Sequence, residues 1–254
     1  MVFARFTLEG KVAIVTGAGR GLGRTMALAL AHAGAAVVAA ARTIGEIQET
    51  AEAICKLGRL GLAVPIDVTD SGAVNHLMAR VVSELGSVDI LVNNAGGEFG
   101  VSKAATELAD QEWARVVDAN LTGTFYCARA AGQYMLERAW GRVINVTCIY
   151  GTRPGINHAA YAAAKGGVIQ LTQALALEWA RRGITVNALG IGWFEGQREL
   201  LAHAEAPARL KRAIPALRLG RPGDVETALV YLASDASRYL TGQIIWLDGG
   251  TLCR

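Results

Sequence analysis

Short β-branched runs alternate with longer amphipathic stretches along almost the whole chain, and this alternation limits the fold more than any single residue does. "KVAIVT" (11–16), "AAVVAAA" (35–41), "GLAVPID" (61–67), "VDILVNNAG" (88–96), "GRVINVT" (141–147), "ITVNALG" (184–190) and "GQIIWLDGG" (242–250) read as strands. Helical patterns fill the gaps: one ends near His32, and others cover 43–58, 71–85, 107–138, 156–182 and 223–234. Apolar strands spaced by helices predict a parallel sheet covered on both faces. Right-handed crossovers then give a doubly wound α/β fold of seven strands, with ligands at the carboxyl ends of the strands. No linker or repeat divides the chain, so residues 1–254 read as a single domain. The long irregular stretch 191–222 reads as a lid over the ligand site.

Composition narrows the function classes. The 254 residues are 52% hydrophobic and 19% charged, enough for a large core and too apolar for disorder. The net charge of +3 has no dense basic cluster behind it, so no nucleic-acid partner is expected. Cys55, Cys127, Cys148 and Cys253 form no CxxC pair and stand near no histidine at ligand spacing, so no metal is expected. Free thiols, the lack of a signal-like start and apolar runs too short for a bilayer predict a cytoplasmic protein without a membrane partner.

"VTGAGRGLGRT" joins the first strand to the first helix. Gly17, Gly21 and Gly23 stand as GxxxGxG, with Leu22 between the last two. Glycines there let the backbone approach a pyrophosphate, which the following helix N-terminus attracts. The position of the turn makes a dinucleotide-binding Rossmann fold the expectation. An acid at the end of the second strand would hold a ribose 2′-OH. This chain has Ala41 and then Arg42, with Arg20 inside the glycine turn. Two guanidiniums without a carboxylate suit a 2′-phosphate and so NADP(H), or else both are solvated loop residues.

Tyr161 and Lys165 are one helical turn apart in "YAAAK". A tyrosine with its reference pKa of about 10 is a poor base at neutral pH, and a nearby ammonium favours its phenolate. The pair can therefore exchange a proton with a carbonyl or an alcohol.

GxxxGxG at 17–23, "NNAG" at 93–96, Asn120, "YAAAK" at 161–165 and the ending "LGRPGDVETALVYLASDASRYLTGQIIWLDGG" (219–250) together resemble the short-chain dehydrogenase/reductase family. Within it the chain looks most like NADP-dependent 3-oxoacyl-(acyl-carrier-protein) reductases and related ketone reductases. The resemblance implies hydride transfer between NADP(H) and a small-molecule ketone or secondary alcohol. It implies Tyr161 as general acid/base, Lys165 holding the nicotinamide ribose and lowering the tyrosine pKa, and Asn120 positioning a relay water. Asn94, Ala95 and Gly96 would follow the cofactor, Asp67 and Val68 would meet the adenine, and Gly192 and Phe194 would also border the cofactor. Helices 107–138 and 156–182 and the last strand would build a homotetramer.

Three departures from the family pattern stand out. The usual serine thirteen residues before the tyrosine is Cys148, and a thiol is a weak hydrogen-bond donor. Thr147 beside it should face the other way along the strand. Cys148 is open to three roles: a poorer serine, the mark of a weakened site that still binds NADP as sensor or assembly partner, or a redox-sensitive thiol with lowered pKa. Ile191 precedes Gly192 where the family has proline, and Gly196 stands where it commonly has threonine. Gly97, Glu98, Phe99, Ile149, Tyr150 and His158 should border the substrate, with His158 either a second titratable group or a packed helix start.

Overall fold

Val12–Thr16 (β1) is buried over its whole length, as a central strand of a parallel sheet must be. The computed structural model describes residues 3–196 and 206–254, and side chains of the second stretch from residue 210. The other strands are Ala36–Ala41 (β2), Gly61–Pro65 (β3), Ile90–Asn93 (β4), Gly141–Cys148 (β5), Ile184–Ile191 (β6) and Ile244–Leu247 (β7). They pair in parallel in the order β3-β2-β1-β4-β5-β6-β7. This is a Rossmann-type doubly wound sheet, and the strand order reverses between β1 and β4.

Two apolar layers cover the sheet. Gly21–His32 (α1) and Glu226–Ala233 (α8) pack on one face through Met26, Leu30, Leu229 and Leu232. Ser71–Leu85 (α3), Gly123–Arg138 (α5) and Ala159–Trp179 (α6) cover the other through Leu77, Met78, Met135 and Leu175. Ile44–Lys56 (α2) closes the edge beside β2 and β3. The boundaries of α3 coincide with the expected 71–85 because both ends carry their own signals. Asp70 accepts a hydrogen bond from the Ala73 amide at 3.0 Å, and Gly86 ends the helix at φ 85°. No helix of the described residues is long and apolar enough to cross a membrane.

The expected helix 107–138 is not continuous. Asp110–Val117 (α4) runs into a π-helical turn, Asp118–Thr122, before α5 begins. Asn120 explains the turn. Its side chain donates to Val116 O at 2.8 Å and also leaves the helix to bind Gly97, at the place where the backbone widens into the underwound π turn.

The stretch 191–222 is less irregular than its sequence suggests. Ala206–Ala213 (α7) forms a helix, and Ile214 and Leu219 are buried with Trp193 and Leu210 packed against them. Residues 197–205 of the expected lid lie outside the described residues. Phe194 does not border the cofactor cleft with its side chain: the ring is 1% exposed in the core, and a bridge to Gly220 fixes its backbone.

Leu30 is fully buried and seats α1 on the sheet, which holds the helix N-terminus at the glycine turn. Leu30→Ala is expected to cost about 2–5 kcal/mol of unfolding free energy in urea melts. A loss under about 1 kcal/mol would contradict this packing.

Candidate active site

A cleft of about 890 Å³ opens along the carboxyl ends of β1, β2, β4, β5 and β6, at the point where the strand order reverses. The glycine turn forms one end and Tyr161, Lys165 and Cys148 the other.

The turn is built for close backbone approach. A Cβ on Gly23 would overlap the carbonyl oxygen of Gly17, so that position must be glycine. Arg20 precedes α1 in extended conformation without a side-chain cap, which leaves the first helical amides open toward the cleft. The donor set fits a pyrophosphate. Gly17, Arg20, Gly21, Leu22 and Gly23 all line the cleft.

Thr16 and Asn94 hold this turn against the end of β4. Thr16 Oγ1 accepts hydrogen bonds from the amides of Asn94 and Ala95, both at 3.0 Å. Asn94 Nδ2 donates to the Thr16 and Gly17 carbonyls at 3.0 and 3.2 Å. Asn94 therefore fixes the walls of the cleft that it borders. Thr16 was not among the expected site residues; its place next to the first glycine was the only signal.

At the adenosine end, Arg42, Asp67 and Val68 line the cleft as expected. Asp67 accepts from the Thr69 amide and hydroxyl at 3.0 and 2.8 Å. Those bonds, with Arg42 nearby, hold its carboxyl below the usual range. The end of β2 itself carries no carboxylate, Ala41 being followed by Arg42, but the helix beyond it brings one to the cleft. Glu46, in the first turn of α2, lines the cleft with Oε1 4.0 Å from Arg20 Nη1. It escaped notice because it lies on the helix after β2 and not at the strand end.

Asn120 anchors the neighbouring turn. Its side chain is fully buried and donates to Gly97 O and Val116 O, both at 2.8 Å, while Oδ1 accepts from the Gly97 amide at 3.0 Å. Both amide hydrogens are used within the protein. These bonds fix the Gly96–Gly97 turn. A Cβ on Gly96 would strike Asn120 Oδ1, which is why glycine is required there.

At the reactive end, β5 and β6 run in register to Cys148 and Ile191. Thr147 points away, as the strand alternation requires, and its hydroxyl donates to Lys165 O at 2.9 Å. Lys165 is buried and its Nζ donates to Val146 O at 3.0 Å. It lies 5.6 Å from the centroid of the Tyr161 ring. Burial lowers the Lys165 pKa to about 8, although the Cys148 thiolate form would raise it. The Tyr161 hydroxyl hydrogen-bonds the Cys148 sulfur. Burial pushes the Cys148 thiol up, and Glu98 adds to this; the Tyr150 amide, Lys165 and Tyr161 act the other way without reversing it. A redox-sensitive thiol of lowered pKa is therefore not what stands at position 148.

Ile191, Gly192 and Gly196 line the cleft opposite Cys148, and the Gly192 amide donates to Leu247 O at 3.0 Å. The substrate side is aromatic and acidic. Glu98, Phe99, Tyr150 and Trp193 line it beside Tyr161. His158 stacks on Tyr150 with ring centroids 4.9 Å apart.

The chain is similar to several named oxidoreductases. The family described as Enoyl-(Acyl carrier protein) reductase matches residues 17–251. The chain is 38% identical over 257 residues to 2-dehydro-3-deoxy-D-gluconate 5-dehydrogenase of Escherichia coli, covering 100% of each. It is 37% identical over 243 residues to 3-oxoacyl-(acyl-carrier-protein) reductase of Vibrio cholerae, with 96% of this chain and 98% of that one covered. A crystal structure of gluconate 5-dehydrogenase from Burkholderia cenocepacia in complex with NADP and tartrate superposes with TM-score 0.95, 33% identity and 100% coverage of both chains.

The cysteines differ in exposure and give a direct check. Cys55 and Cys253 are exposed, Cys148 is half-buried and Cys127 is buried. Under excess Ellman's reagent at pH 7.5, two thiols should react promptly and two slowly, with Cys148→Ser removing one slow phase. Loss of a prompt phase in that variant would show that Cys148 is reactive after all.

Proposed function

The chain belongs to the short-chain dehydrogenase/reductase family of oxidoreductases, and from that premise we propose that it interconverts a ketone and a secondary alcohol with NADP(H), Tyr161 exchanging the proton. The observation that carries the reading is the meeting of Tyr161, Lys165 and Cys148 in one cleft with a glycine turn fit for a pyrophosphate.

A bound nicotinamide dinucleotide would supply or accept the hydride. The glycine turn, Arg20, Arg42, Asp67, Val68, the Asn94–Gly96 turn, Gly192 and Lys165 would hold it. In reduction Tyr161 Oη gives its proton to the carbonyl oxygen as the carbinol C–H bond forms; in oxidation the phenolate takes the hydroxyl proton. Lys165, as a cation, favours the phenolate that each reduction leaves behind. Cys148 faces the tyrosine hydroxyl and steadies the carbonyl oxygen as a weak donor, so the reaction is slower than with a hydroxyl. Arg20 and Arg42 favour the 2′-phosphate of NADP(H), a preference supported by the NADP bound to the Burkholderia cenocepacia enzyme.

Purified protein should consume NADPH with members of a panel of ketones and β-keto esters. Tyr161→Phe is expected to lower turnover by about 10²–10⁴-fold, and Cys148→Ser to raise it. A Tyr161→Phe variant as fast as wild type would overturn the proton-transfer role. Activity only in the serine variant would identify a weakened site that retains its cofactor.

NADPH should bind more tightly than NADH, and Arg42→Ala should weaken NADPH by about tenfold while sparing NADH. Equal affinities of the wild type for both would reject the NADP(H) assignment. Lys165 loses its charge as pH rises past about 8, so kcat/KM for reduction should decline over that range. A profile still rising at pH 9 would contradict a catalytic lysine cation.

A further inference from the structure

The adenosine end of the cleft sets its charges in pairs. Among the described residues, Arg20, Arg42, Glu46 and Asp67 are the charged side chains there, all carried by the segments that follow β1, β2 and β3. Arg42 acts on Asp67, whose Oδ1 already accepts from the Thr69 amide and hydroxyl. Arg20 faces Glu46, with Nη1 4.0 Å from Oε1. Arg24, one turn further along α1, faces Glu49 at 3.8 Å and leaves Glu46 to Arg20.

Two details make Glu46 the acid that bears on the cofactor. It lies directly across the glycine turn: a Cβ on Gly19 would come within 2.8 Å of Glu46 Cβ and 2.9 Å of its Oε2. Its hold on Arg20 is also loose. At 4.0 Å no hydrogen bond forms, and the two side chains are 55% and 38% exposed, so water screens the pair. A phosphate dianion offers a guanidinium a bidentate, charge-assisted contact and displaces such a partner. The displaced carboxylate stays beside the turn as like charge to the phosphate. A ribose 2′-hydroxyl needs no guanidinium and meets no such repulsion.

We propose that Glu46 sets how far the cleft discriminates NADP(H) from NAD(H), by competing with the 2′-phosphate for Arg20 and repelling it. The preference for NADP(H) is then smaller than Arg20 and Arg42 alone would give. This rests on the NADP(H) reductase reading and deepens it. Asp67 competes less for Arg42, because its Oδ1 is engaged by Thr69. Glu46 acts on cofactor binding and not on proton transfer, since Tyr161, Lys165 and Cys148 stand at the opposite end of the cleft.

The test is fluorescence titration of the full chain with NADPH and with NADH, in the absence of any ketone. Glu46→Gln is expected to tighten NADPH by about three- to tenfold and to leave NADH within about twofold of the wild type. In an Arg20→Gln background the gain should shrink, because there is no guanidinium left to release. NADPH affinity unchanged or weakened by Glu46→Gln, both dinucleotides moving together, or the same gain without Arg20 would each overturn the role of Glu46. If Glu46→Gln fails to fold, Glu46→Asp, which keeps the charge and draws it back from Arg20, serves as the second variant and should show a smaller gain for NADPH alone. The NADP(H) assignment is read from the wild type and the role of Glu46 from the change on substitution, so one can fail while the other stands. A wild type that binds neither dinucleotide would overturn the reductase reading and this role with it.

Discussion

Everything at the cleft depends on how β1 and β4 are fastened where the strand order reverses. A parallel sheet leaves a crevice there, and its two lips are free to part. Thr16 and Asn94 prevent this with four hydrogen bonds between the glycine turn and the "NNAG" turn. A second polar chain continues the bracing: Asn93 donates to Asn145 at 2.9 Å, and Asn145 to Thr172 of α6 at 2.9 Å. That chain ties β4 and β5 to the helix that bears Tyr161 and Lys165. Buried side-chain networks of this kind fix one arrangement of the backbone, although here Asn93 Oδ1 is left buried without a hydrogen-bond partner among the described residues.

The reactive end follows from that frame. β5 delivers Cys148, α6 delivers Tyr161 and Lys165, and Thr147 Oγ1 joins the two elements through Lys165 O. Burial then sets the chemistry. It lowers Lys165 and raises Cys148, so that each moves toward its uncharged form. A thiol kept protonated beside the tyrosine hydroxyl is a hydrogen-bonding group and not a nucleophile. On the proposed mechanism, cysteine in the place of the family's usual serine would change the strength of a contact and not the kind of reaction.

The sheet was legible in the chain because strands buried on both faces are written as unbroken apolar runs. The helix α3 was legible to the residue, since Asp70 and Gly86 are local signals. The break at 118–122 was not, because it is set by a contact between Asn120 and a loop twenty-three residues earlier. The spacing of Tyr161, Lys165 and Cys148 marked the reactive end. The direction of the Cys148 shift was hidden, since spacing reveals a nearby lysine and says nothing of burial. Glu46 was hidden for a similar reason: the cleft receives it from a helix turn beyond the strand end.

The measurement that bears most directly on this account is isotopic. Wild-type protein, with its thiol in place, is given NADPH carrying deuterium at nicotinamide C4 and a neutral β-keto ester such as ethyl acetoacetate. The account predicts deuterium from one face of the nicotinamide on the carbinol carbon of the hydroxy ester, seen by mass spectrometry. A hydroxy ester formed without the label, or no NADPH consumed by the wild type or Cys148→Ser with any ketone offered, would contradict a ketone reductase at this site.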